Sequence, residues 1–448
     1  MNRDLLIDIM RQSCSNAVKS GAGNVDMLVL DKRDVSLEVE NNSIKFCDVE
    51  YDAGYSVRAI TDGGTGYVRG RGLERNDLLN AGGEAALLSK ESEPDPDFKS
   101  LPKPQQTTEI EDLFDNSVAE FEPSAAIKWG LSSIEAAKNI DPEVIVKCGI
   151  SAGSVESAIV NSNGVNVFEA GTYISMYVFS VVRREEGIGS YYEYSSARCL
   201  KDLESPEELA RKATERAVAF AGAKKIESGR YPVLLGPLAA RSLTSSVIGA
   251  ASAEEIQRER SYLAGKLNKK IAPDLLTIEE DPFFPGGISS SPFDGEGVPR
   301  EKRLLIDRGV LTTYLHNSYT ANKAGVKNTG HASREYYTSN VGISASNLST
   351  TPGGRPEADI IKDIKNGIYI YMGSVSPSSV SGQISGTVDY GFRIIDGELA
   401  YPVQNVMIGG DVFEFLNSIE EISSDYRDEK ANRMPSILIG QVQLSGGA

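Results

Sequence analysis

Few residues in this 448-residue chain have the types and spacing that chemistry requires. Asp294-Gly295-Glu296-Gly297 sets two carboxylates two residues apart, flanked by glycines. Such a pair can line a cleft, bind a peptide amine or tune a partner's proton transfer. It can also be a turn whose acids cap backbone amides and fix a loop. His331 follows a glycine and lies three residues before Arg334. An imidazole and a guanidinium in one loop can hold a carboxylate, although a lone histidine is more often a local hydrogen-bonding residue. His316, in the strand-like TTYLHNSY, offers less, and these are the only two histidines.

Three other patterns lead less far. Gly149-Ile150-Ser151-Ala152-Gly153 matches G-x-S-x-G, but a nucleophile elbow needs a strand, this turn and then a helix. The β-branched stretch Val155–Val160 follows instead, so a β-turn with a small residue is expected. Asp62-Gly63-Gly64-Thr65-Gly66 lacks G-K-[ST] and opens no helix, which reads as a hairpin turn. Gly382, Gly386 and Gly391 read as loop and strand-end glycines. Thr244-Ser245 has two hydroxyls but no base near it in sequence, and its helical setting makes both ordinary small residues.

The elements that must position these groups follow from periodicity. Residues 4–20 read as a helix, with Leu5, Leu6, Ile9 and Met10 on one side. Alternating segments follow at Val25–Leu30, Val35–Glu40, Ile44–Val49, Gly54–Ile60 and Gly66–Val68, then a helix over 74–90. Ser92–Pro104 holds four prolines, which exclude helix and central strand and suggest a linker. The pattern then recurs: a helix over 123–139, strands at Val144–Ile150, Val155–Val160, Val165–Glu169, Thr172–Arg183 and Tyr191–Ala197, and a helix over 206–221. Asn161-Ser162-Asn163-Gly164 is a hairpin turn. From Arg230 strand-like pieces alternate with Gly- and Ser-rich loops, and only 237–256, 355–367 and 411–421 look helical. The expectation is an α+β protein: an N-terminal unit over 1–91, a Pro-rich linker over 92–108, a second α+β unit over 109–228 and a mainly-β domain over 229–448. The two helix-flanked antiparallel units suggest a duplication.

Composition narrows the class. Hydrophobic content of 40% with 24% charged residues fits a soluble globular chain. A net charge of −17 argues against nonspecific nucleic-acid binding, which needs Lys and Arg to neutralise phosphates. No apolar run approaches membrane-span length, and the N-terminus has no signal-peptide core. Cys14, Cys47, Cys148 and Cys199 are scattered without a CxxC pair, as in a reduced, cytoplasmic protein.

Several motifs in one order resemble the TldD/PmbA metallopeptidase family. Ser291-Pro292-Phe293-Asp294-Gly295-Glu296-Gly297-Val298-Pro299 is followed by LLIDRGVLTTYLHNSYTANKAG from Leu304 to Gly325, similar to that family's D-x-E-G-x-P run and its continuation. Asn328-Thr329-Gly330-His331-Ala332 resembles its T-G-N turn, with His331 in place of Asn. Gly397–Val403 and the terminal Met434-Pro435-Ser436-Ile437-Leu438-Ile439 also match, the latter in the manner of the PmbA (TldE) branch. In the TldD branch, the segment corresponding to Gly236–Lys270 carries an HExxxH zinc motif. Counting back from Ser261-Tyr262-Leu263 puts Thr244 and Ser245 at the first His and the Glu, and Gly249 at the second His. The TldD branch also completes its zinc site with a C-terminal Cys, and no Cys lies beyond Cys199 here.

The resemblance implies a subunit without its own metal or catalytic residues. It would form a heterodimer with a zinc-bearing TldD-type paralogue and cleave unfolded peptides in an enclosed cavity. Asp294, Glu296, His331 and Arg334 would then border the substrate cleft. Two alternatives stay open: a homodimer that binds peptide or a small ligand without hydrolysis, and a metal-free hydrolase using Ser151 or the Asp294/Glu296 pair.

Overall fold

The structure, a computed structural model, describes residues 3–185, 187–430 and 432–447. Helix α1 (Arg3–Lys19) leads into β1 (Asn24–Glu40), β2 (Ser43–Thr61), β3 (Gly64–Arg71) and α2 (Arg75–Lys90). After the proline-rich stretch come α3 (Asn116–Ala119), α4 (Pro123–Ile140), β4 (Ile145–Asn161), β5 (Asn166–Arg184), β6 (Gly187–Ala197) and α5 (Pro206–Phe220). The six strands join in one antiparallel sheet of order β3-β2-β1-β4-β5-β6. The recurring pattern in the sequence is thus one sheet rather than two.

The strands are longer than alternation alone suggests. Val25–Leu30 and Val35–Glu40 belong to one strand, because the charged Asp31–Asp34 stretch between them pairs on both sides, with β2 and with β4. The same merging joins Ile44–Val49 to Gly54–Ile60, and Val144–Ile150 to Val155–Val160. Period two places odd-numbered residues of β1 on one face. Val25, Met27 and Val29 pack under α1, in one core with α2, while Val35, Leu37 and Val39 pack under α4, in one core with α5. On the opposite face Leu28 meets Ile159 and Phe293, so this side of the sheet is covered by the C-terminal domain.

That domain begins with β7 (Gly229–Leu235), α6 (Pro237–Gly249) and α7 (Ala253–Gln257). The helix expected over 237–256 is broken because residues 251–253 pair their backbone with Leu315: Leu315 N donates to Ala251 O at 2.9 Å and Ala253 N to Leu315 O at 2.8 Å. Next come β8 (Ile278–Glu280), β9 (Arg303–Asp307), β10 (Val310–Leu311), α8 (Ser318–Ala324), β11 (Ala332–Ser333), β12 (Gly342–Ile343) and β13 (Leu348–Thr350). The chain ends with α9 (Glu357–Asp363), β14 (Asn366–Gly373), β15 (Gln383–Ile395), β16 (Glu398–Val403), β17 (Val406–Asp411), α10 (Val412–Asn417), β18 (Ile419–Asp428) and β19 (Arg433–Gly446). The path β14-β7-β19-β17-β15 closes on itself through a β14–β15 pairing, with β16 and β18 added outside the ring. Helix α6 seals this ring with Ala239, Ala240, Leu243 and Val247.

The Ser92–Pro104 stretch has no helix or strand, as its prolines require. Its middle is nonetheless held: Leu101 is buried, its N–H donates to Asn24, and Asn161 and Asn163 donate to the carbonyls of Pro102 and Leu101. Lys323 of α8 pairs with Asp97 at 2.6 Å. Among the described residues no helix is long and apolar enough to cross a membrane.

Candidate functional site

The Asp294-Gly295-Glu296-Gly297 loop sits where the six-stranded sheet meets the C-terminal domain. Its glycines are steric requirements. Gly297 has φ of 78°, and a Cβ there would lie 2.5 Å from Val165 Cγ1. A Cβ on Gly295 would lie 3.0 Å from the main-chain nitrogen of Arg334. Both acids are 2% exposed. Asp294 accepts from three backbone amides: Glu296 N at 2.9 Å, Val298 N at 3.0 Å and Ala332 N at 2.9 Å. Burial and then the neighbouring Glu296 charge push its pKa up to about 6, against the pull of Arg300 and those amides.

Glu296 is engaged differently. Its carboxylate accepts from Arg58 Nη2 at 2.8 Å and from the N–H of Ser318, the first residue of α8, at 2.9 Å. Arg58 also binds Asp26, its direct cross-strand partner in the β1–β2 register. Arg334 reaches the same Asp26 oxygen at 2.6 Å. Two acids and two guanidiniums thus form a buried, charge-balanced quartet linking β1 and β2 to two loops of the C-terminal domain. Burial alone would raise the Asp26 pKa, but Arg334 and Arg58 outweigh it and hold it low. Burial would lower Arg58, yet Asp26 and Glu296 raise it.

His331 is 1% exposed and does not share a ligand with Arg334. Its Nε2 lies 2.8 Å from Glu280, and its Nδ1 lies 2.8 Å from the Thr329 hydroxyl. Burial lowers its pKa and favours the neutral ring, in which Nε2–H donates to Glu280. Glu280 also accepts from Ser346 N at 2.6 Å. Burial would raise Glu280, but His331 and that amide bring it down to about 2. The pairing of His331 and Arg334 on one carboxylate is therefore corrected: each binds a different acid of this chain. The structure joins Asp294, Glu296 and Arg334 in one interface and brings in Asp26 and Arg58, which motif reading missed. Their signal was a lone charge inside an apolar strand run, as in NVDMLVL and YSVRAI.

On α6, Gly236 caps the helix and Pro237 occupies its first turn, where a missing N–H is harmless. Thr244 faces the core, and its hydroxyl donates to Ala240 O at 2.9 Å. Ser245 is exposed and borders a cavity of about 530 Å³ with Tyr194, Arg216, Arg241, Arg427 and Glu429. Within it, Glu429 pairs with Arg241 and lies 2.7 Å from Arg427 Nε, and Tyr194 donates to it at 2.6 Å. Gly249 faces open space. The three positions do not converge. Among the described residues no three His, Cys, Asp or Glu side chains are grouped to hold a metal ion.

Ser151 lies in the middle of β4, neither on an elbow nor in the β-turn expected for it. It pairs with Ser36 and Ser175 on the flanking strands and donates to Asp34 at 2.8 Å. The turn reading fails because the two strands flanking Ser151 are one.

Family models match the chain in three stretches: PmbA/TldA metallopeptidase domain 1 over residues 25–87, the central domain over 116–220 and the C-terminal domain over 228–446. The "Metalloprotease PmbA homolog" of Buchnera aphidicola is 28% identical over 433 residues, covering 94% of this chain and 93% of its own length. The "Metalloprotease PmbA" of Escherichia coli O157:H7 is 25% identical over 445 residues, covering 98% and 96%. Among solved structures, TldE from Thermococcus kodakarensis superposes with a TM-score of 0.88 at 25% identity, covering 98% of this chain and 100% of that one.

Proposed function

Because the chain belongs to the PmbA/TldA metallopeptidase family, we propose that it is the TldE/PmbA-type subunit of a cytoplasmic heterodimer, whose TldD-type partner carries the zinc. The pair cleaves unfolded peptides, and this chain supplies a wall of the enclosed cavity and no metal ligand. The observation that carries the reading is the surface of α6 at the aligned motif positions. Thr244 is buried with its hydroxyl on Ala240 O, Ser245 offers a hydroxyl to a cavity of paired charges, and Gly249 has no side chain. A tetrahedral zinc site needs imidazole, thiolate or carboxylate donors about 2 Å from the metal. These three residues do not fit one. Similarity over nearly the whole length to proteins named PmbA, and to a structure named TldE, supports the branch.

Zinc on the partner would supply Lewis-acid polarisation of the scissile carbonyl and an activated water. This chain's part is steric and electrostatic. The Asp26–Arg58–Glu296–Arg334 quartet holds the six-stranded sheet against the C-terminal domain and so fixes the cleft wall. Native mass spectrometry of the chain alone, after incubation with zinc, tests the metal assignment. The expected mass is metal-free. One tightly held zinc per chain, retained under mild chelation, would contradict it.

A further inference from the structure

A second cavity, of about 470 Å³, lies between the outer face of the six-stranded sheet and the loops of the C-terminal domain. This is within the size range of small-molecule sites. Leu28, Leu30, Val155, Ile159 and Phe293 give it an apolar wall. Leu28 and Ile159 are direct cross-strand partners, so this wall is rigid sheet.

Six charged side chains border the cavity, and most are engaged within the protein. Arg334 is bound to Asp26. Arg198 donates to the carbonyls of Gly287, Ile288 and Ser290 at 2.8, 3.0 and 2.9 Å. Asp294 accepts its three amides. Glu169 has the Ser291 hydroxyl at 2.5 Å, and Glu335 is exposed. Arg300 differs. Its Nε makes one long contact, 3.4 Å to Phe293 O, and its Nη1 is buried with no hydrogen-bond partner. Arg300 borders the cavity without a close ion pair among the described residues, although Glu169, Asp294 and Glu280 all feel its charge, and a guanidinium fork matches a carboxylate well. With Glu169 and Asp294 also facing the cavity, a singly charged anion suits the site better than a doubly charged one.

We propose that this cavity binds a carboxylate carried on an apolar group, the chemistry of a free peptide C-terminus with an aliphatic last residue. Arg300 holds the carboxylate, and the Leu28–Ile159–Phe293 wall takes the side chain. Binding needs neither a partner subunit nor hydrolysis, so it stands independently of the heterodimer.

Calorimetric titration of the chain alone with N-acetyl-leucine, N-acetyl-leucinamide and acetate tests this. N-acetyl-leucine is expected to bind saturably, with the amide and acetate each about tenfold weaker or more, as expected for loss of one charge-assisted contact or of the buried side chain. Arg300→Met should weaken N-acetyl-leucine by a similar factor. Ser157→Phe, which fills the cavity from the sheet wall between Val155 and Ile159 and leaves Arg300 intact, should abolish binding even if Arg300→Met folds poorly. No saturable binding, equal affinity for acid and amide, equal affinity for acetate, or full binding by Ser157→Phe would overturn the proposal.

Discussion

Glu296 accepts from a side chain of one domain and a helix N-terminus of another, and Arg58 answers two acids at once. Removing Arg58 leaves Asp26 and Glu296 as buried charges with less compensation. Breaking a buried ion pair from one side costs about 3–5 kcal/mol. Arg58→Met is therefore expected to lower unfolding stability by that order, read from chemical denaturation. A loss under about 1 kcal/mol, the range of ordinary surface substitutions, would show that the quartet is not the clamp described. Ser151→Ala removes a hydroxyl that bonds Asp34 and neighbours the Tyr173 hydroxyl, with no base beside it. Peptidase activity of the assembled complex should be unchanged in that variant; a complete loss would revive the serine-hydrolase reading.

Glu280 gives a prediction in pH. Its folded-state pKa is lowered from 4.5 to about 2, with burial opposing and His331 and the Ser346 amide producing the drop. A depressed acid stabilises the fold fully above its unfolded pKa and loses that contribution as pH falls through the folded one. The stability gap between wild type and Glu280→Gln should therefore shrink as pH is lowered from 4.5 toward 2, by about 3 kcal/mol in total. Denaturant titrations at several acidic pH values measure it. A gap that stays constant or widens would contradict the assignment.

At the scale of elements, the proline-rich connection is only partly free. Leu101 is buried and Pro102 is held by Asn161, whereas residues 103–106 are exposed without helix or strand. Limited proteolysis with a protease of broad specificity should nick at Gln105–Gln106 and not within 95–102, since cleavage needs local opening of unheld backbone. Early cuts within β1 or β4 would contradict the sheet description. The long helices beside the six-stranded sheet were legible because periodicity is local: Pro206, the first-turn acids Glu207 and Glu208 and the apolar face of α5 mark that helix unaided, whereas the short α8 was missed and the 237–256 stretch proved to be two helices. Strand lengths were not, because Asp31–Asp34 looks like a break until both neighbouring strands are known. The acid loop was legible as Asp294 and Glu296, since glycines around paired acids are a local signal. Asp26 and Arg58 lie more than 200 residues away in sequence, and His331's partner Glu280 lies 51 residues away. No spacing rule reports such pairings.

At the scale of the whole molecule, three sequential regions converge on one interface, and α6 presents a face without metal donors beside a cavity of ion-paired side chains. On the proposed reading this chain acts only with a zinc-bearing paralogue. The most direct measurement is hydrolysis of an unfolded peptide by the chain alone, by an HExxxH-bearing TldD-type protein alone, and by the two mixed, with and without chelator. This chain alone should show no turnover, the mixture should form a stable complex with turnover, and chelation should abolish that turnover. Chelator-resistant hydrolysis by this chain alone, or a mixture in which no complex forms, would contradict it.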